Sequence, residues 1–112
     1  MDLYSQLYAG SFAVPVQAGS ETDIATAMFL IYPTRDEIRE LPIFTSDNYV
    51  LNNLPNDAVF ITVMGSVLWP RLLDVVRSAG KCSVAVDPGQ SHGIRLSDSM
   101  ILGMISSCEL KM

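Results

Sequence analysis

Ala58-Val59-Phe60-Ile61-Thr62-Val63-Met64-Gly65-Ser66 is the stretch on which the fold turns. Its first seven residues are the most continuous β-branched and aromatic run in the chain. They predict a strand, and apolar side chains on both faces predict a central one. Gly65-Ser66 then opens a helix running to about Ala79, with Val67, Leu68, Leu72, Val75, Val76 and Ala79 at helical spacing. Pro70 lies close to the first turn, where a missing N–H costs least, and Gly80 supplies the stop. Lys81 to Asp87 follows as another strand, with Cys82, Val84 and Val86 on one face and the small Ser83 and Ala85 on the other. Asp87-Pro88-Gly89-Gln90 suits a type II turn, because Pro presets one central residue and Gly tolerates positive φ at the next.

Outward from this strand-helix-strand core, Asp2 to Gly10 reads as a short helix carrying Leu3, Tyr4, Leu7 and Tyr8 on one face. Phe12 to Val16 alternates as a strand, and Pro15 directs it to an edge or a bulge. Ile24 to Tyr32 reads as a second strand covered on both sides. Pro33 to Glu37 is a turn, or a single helical turn through the Thr34–Glu37 capping-box spacing. Ile38 to Thr45 is a third strand antiparallel to the second, and Ser46 caps a short helix through Leu54. Ser97 caps a final helix with Met100, Ile101, Met104, Ile105 and Cys108 inward, which Gly103 weakens. The fold class expected is α+β: one domain over 1–112, with a mixed sheet of about five strands and three to four helices packed on it.

Composition narrows the partners. The chain has 112 residues, 49% hydrophobic and 17% charged, with 7 Lys+Arg against 12 Asp+Glu, a net charge of −5. A chain of this length buries roughly two thirds of its unfolded surface, enough for one core without disulfides or metal. The acidic balance and scattered basic residues argue against nucleic acid or an anionic membrane as partner. No Lys or Arg precedes Arg35, so no leader is expected, and the longest apolar run, Ala27–Tyr32, is far below a membrane span. The expected compartment is the cytoplasm, with Cys82 and Cys108 as buried thiols.

Three stretches in order resemble the SseB N-terminal domain family: Phe12–Val16 after a short helix, Leu41-Pro42-Ile43-Phe44-Thr45-Ser46, and Val84-Ala85-Val86-Asp87-Pro88-Gly89 with the Gly93–Leu96 exit. The Leu68–Val76 helix sits where that family has a leucine-rich helix. The resemblance covers about Leu3 to Ile105. It implies a bacterial, cytosolic α+β domain, and it carries over no catalytic residues. The chain departs from the pattern with Asp87, where many members have Asn.

The loop Asp87–Gly93 gathers an acid, the Ser91 hydroxyl and the only imidazole, His92, at a strand end where α/β sites often lie. Because Ser91 and His92 are neighbours, a converging triad is awkward, and a surface turn is the plainer reading. Asp36, Glu37 and Glu40 beside Arg35 and Arg39 read as a solvated turn rather than a metal site. No P-loop or GxGxxG is present and no cofactor is expected, although the helix start at Gly65-Ser66 offers free N–H groups to a small anion. Trp69, next to Pro70, is a candidate aromatic anchor for an interface. The expected function is a non-enzymatic module working through protein–protein contacts, with a protein partner or as a homodimer. Small-metabolite sensing, for instance of an amino acid, near Asp87, Ser91 and His92 is the alternative, and a small enzyme using that loop the third.

Overall fold

The computed structural model describes residues 3–17, 19, 23–24, 26–34, 37–46, 59–90 and 93–109. Among the described residues, three helices and five strands form an α+β fold: α1 (Leu3–Ala9), β1 (Ser11–Val16), β2 (Arg39–Ile43), β3 (Val59–Met64), α2 (Gly65–Ala79), β4 (Cys82–Val86), β5 (Ile94–Leu96) and α3 (Asp98–Glu109). The strands fall into two hydrogen-bonded sheets. β1 pairs antiparallel with β3, and β2, β4 and β5 form a mixed sheet with β4 in the middle. A bridge joins them: Ala13 N donates to Phe44 O at 2.7 Å and Phe44 N to Ala13 O at 2.9 Å.

The central strand is therefore β4, not the run from Ala58 to Met64. All five β4 residues are buried, while every β3 residue is half-buried or exposed. A β-branched run reads the same whether both its edges are paired or one. The short side chains of Ser83 and Ala85 allow cover on the second face of β4, and Ala85 is buried there. Among the described residues, the strand expected over Ile24–Tyr32 does not form a ladder. The segment leaves β1 at Phe29, bridged to Val16, and reaches β2 at Tyr32, bridged to Glu40. With one bridge to each neighbour, it builds no ladder with either, and Met28 and Tyr32 stay exposed. The helix expected over Ser46–Leu54 lies outside the described residues beyond Ser46. Of the turn or helical turn expected over Pro33–Glu37, Arg35 and Asp36 lie outside the described residues, and Glu37 has φ of 66°, outside the helical region.

Phe12, Val14 and Val16 alternate inward as expected and pack with Leu41, Ile43, Leu68, Leu72, Ile101 and Met104 in one core. α2 and α3 supply most of the helical cover. α2 ends at Gly80, φ 69°, whose N–H reaches Val76 O. The Arg39 guanidinium donates to the carbonyls of Ala79 and Gly80 there, a cation at a helix C-terminus. Ser97 Oγ accepts from Met100 N at 3.3 Å, capping α3 as expected. Met100 itself turns outward.

The start of α2 is set by α1. Gly65 N donates to Gly10 O at 2.6 Å, and a Cβ on Gly65 would lie 2.3 Å from Leu7 O. The C-terminal carbonyls of α1 thus face the N-terminus of α2, dipole against dipole. The Gly65 N–H at the helix start considered for a small anion is thus taken by the Gly10 carbonyl.

Candidate functional site

β2 and β4 run parallel, so their C-terminal ends emerge together and set Thr45 beside Asp87. Asp87 N donates to Ile43 O at 2.9 Å. The Asp87 carboxylate accepts the Thr45 N–H at 2.8 Å on one oxygen and the Thr45 hydroxyl at 2.7 Å on the other. The residue is 0% exposed and has φ of 52°, a left-handed conformation that Asp tolerates better than most side chains. Gly89 at φ 86° and a Gln90 N bond to Asp87 O complete the turn. Gly93 then closes the loop so tightly that a Cβ would meet Asp87 O at 2.6 Å.

Asp87 is therefore a clamp between two strand ends. Its carboxylate is buried and engaged by Thr45 on both oxygens, an arrangement suited to holding structure rather than to receiving a substrate proton. Ser91 and His92, the other two loop residues singled out from sequence, lie outside the described residues. Beside the clamp is a cleft of about 460 Å³ that mixes Gln6, Ser11 and Thr45 with the apolar Leu7, Phe12 and Val86. A second cup of about 410 Å³ lies across the turn, bordered by Pro88, Gly89, Gln90 and the Arg95–Glu40 ion pair at 2.8 Å. Glu40 is thus committed to Arg95, and Asp36 lies outside the described residues. Among the described residues, no group of three or more His, Cys, Asp or Glu is placed to hold a metal ion.

Trp69 does not present an anchor. It is 0% exposed, its indole N–H donates to Leu7 O at 3.0 Å, and Phe12 meets it edge-on with ring centroids 5.8 Å apart. The docking of α1 across the start of α2 buries it, a contact between distant segments that local sequence does not reveal. Cys82 and Cys108 are free and buried. Burial pushes the Cys82 thiol up from its ordinary value, with the Arg39 cation opposing. No helix among the described residues is long and apolar enough to cross a membrane.

Two exposed features were not singled out by sequence. The first is a groove of about 590 Å³ between α1, β5 and α3, where Leu3 and Met100 are 52% and 41% exposed over Tyr4, Ile94 and Leu96. The second is the outer edge of β3. Ala13 exchanges its hydrogen bonds with Phe44, and Pro15 O accepts from Leu30 N, so these β1 residues face away from β3. Their partners in the register are Thr62 and Phe60, which by the antiparallel alternation point their N–H and C=O groups away from β1. Among the described residues no strand pairs with that edge. Its side chains are half-buried or exposed, with Met64 at 57% and Val67, three residues on, at 52%. Natural edges are commonly guarded by charge, proline or brevity, and β3 has six residues with neither charge nor proline.

The chain matches no family model, and comparison with the curated proteins and with the solved structures returned no similar protein.

Proposed function

We propose that the chain is a non-enzymatic, cytosolic, SseB-like module that works through protein–protein contacts, and that its contact surface is the outer edge of β3. The observation carrying this reading is the open, uncharged edge itself. Outward N–H and C=O groups of Phe60 and Thr62 are a template for one more strand, and exposed Met64 and Val67 flank it with apolar surface. Of the stretches that carry the resemblance, Phe12–Val16 lies on β1, Leu41–Ile43 on β2 with Phe44–Ser46 following it, and Val84–Val86 on β4. The free thiols of Cys82 and Cys108 suit a reducing compartment.

The test is affinity capture from the native host with the wild-type chain and with Thr62→Lys. A lysine on the exposed face of β3 leaves the core intact and blocks edge pairing by charge. The reading expects proteins retained by the wild type to be lost with Thr62→Lys at an unchanged melting temperature. Identical retention by both chains would overturn it.

A second reading rests on the 460 Å³ cleft, whose mixed lining and place beside the C-terminal ends of β2 and β4 suit a small polar metabolite. Thermal-shift screening against amino acids and nucleotides tests it. A ligand bound only to the folded chain must raise the melting temperature.

A further inference from the structure

Taking the β3 edge as the docking surface, we infer that its partner is a second copy of this chain, paired antiparallel across a twofold axis at Thr62. Charge disfavours a basic occupant and permits a second copy, whose self-complementary register then selects it. The chain carries −5 overall, so two copies repel over most of their surfaces, and a basic partner steered toward it needs acidic residues at its landing site. From Val59 to Pro70 there is no charged residue and no histidine. A second copy meets no like charge at this edge, and a basic partner finds no acid on it.

The register follows from which backbone groups face outward. Phe60, Thr62 and Met64 point away from β1, so in an antiparallel self-pair they must lie opposite one another. Setting Thr62 opposite its own copy places Phe60 against the partner copy's Met64 and Ile61 against its Val63. Each exposed methionine then covers an aromatic ring, a favourable sulfur–aromatic contact, and the two threonines form a cross-strand pair. The alternative register, Phe60 opposite Thr62, leaves Met64 uncovered. Such an interface is isologous and closed, joining two β1–β3 ribbons into one four-stranded sheet and ending association at the dimer.

Light scattering on the purified full chain over a wide concentration range tests this, with Thr62→Lys and Thr62→Cys alongside. The wild type is expected to reach twice its 12.2 kDa mass, and Thr62→Lys to stay at 12.2 kDa with the same melting temperature. A hydrogen-bonded antiparallel pair has Cα atoms about 5.5 Å apart, within the span a disulfide bridges. Thr62→Cys should therefore form a disulfide-linked dimer on mild oxidation, whereas Ser66→Cys, beyond the strand, should not. A wild type monomeric at every concentration, a dimer unaffected by Thr62→Lys, or equal cross-linking of both cysteine variants would overturn the second copy as occupant. A monomer that still loses a captured protein on Thr62→Lys would overturn this inference and leave the docking edge standing.

Discussion

Replacing Gly65 by alanine should cost more stability than a single methyl group suggests. A Cβ at this position would lie 2.3 Å from Leu7 O and 2.6 Å from Tyr8 O, both backbone atoms that cannot rotate aside. Ordinary carbon–oxygen contacts need about 3.3 Å or more, so α1 and α2 must part by about 1 Å. That movement stretches the Gly65 N to Gly10 O bond and pulls Leu7 O away from the indole N–H of Trp69, which is fully buried. Overpacking strain costs about 1–3 kcal/mol and an orphaned buried donor about 1–3 kcal/mol. A total of about 3 kcal/mol corresponds to a fall in Tm of about 12 °C for a domain of this size. The control is the same substitution at Gly103, inside α3, where a Cβ would meet nothing within 4 Å. There alanine should gain up to about 1 kcal/mol through helix propensity, a rise of about 4 °C. Thermal unfolding followed by circular dichroism reads both. A Gly65→Ala chain melting within about 2 °C of the wild type would refute the close contact between α1 and the start of α2.

Three further outcomes follow from the same geometry. Asp87→Asn should lose under about 1 kcal/mol, since the amide can still face Thr45 and Asn accepts positive φ, whereas Asp87→Ala should lose about 2–4 kcal/mol; equal melting temperatures for the two variants would remove the clamp. Trp69 should fluoresce at the blue end of the tryptophan range and resist quenching by iodide in the folded chain, and ready quenching would contradict its burial. The raised Cys82 value means that the folded state holds the neutral thiol. Its stabilisation is complete below the unfolded thiol pKa and is lost as pH rises through the folded one, so the contribution of Cys82 to stability should fall away at alkaline pH. A Cys82→Ala chain, assayed by denaturant unfolding across that range, should show a shallower decline.

Local patterning carried a large part of this fold. Period-two alternation put Phe12, Val14 and Val16 inward, and helical spacing with Gly80 and Ser97 bounded α2 and α3. The Asp87–Gln90 turn was legible from Pro and Gly alone. What local pattern does not hold is which strand edges find partners. The runs Val59–Met64 and Cys82–Val86 both read as buried strands, and only tertiary pairing puts β4 inside and leaves β3 at an edge. Residues Ile24–Tyr32 are as apolar as a strand, yet they cross from β1 to β2 and form single bridges. The site shows the same division. Asp87 was found as a turn residue, but its bond to Thr45, 42 positions away, is a long-range contact. Trp69 was misread because α1 covers it from 62 positions away. The sequence signal for β3 was the apolar run Ala58–Met64, but which of its edges stays unpaired is set by tertiary pairing.

Amide hydrogen exchange along β3, measured at high protein concentration and again after dilution, tests the docking edge most directly. The N–H groups of Val59, Ile61 and Val63 face β1 and should be protected at both concentrations. Those of Phe60 and Thr62 should be protected when concentrated and exchange quickly when dilute, because among the described residues no strand of the same chain pairs with them. Protection of Phe60 and Thr62 that ignores dilution, or its absence at every concentration, would contradict the edge as a surface where a second copy docks.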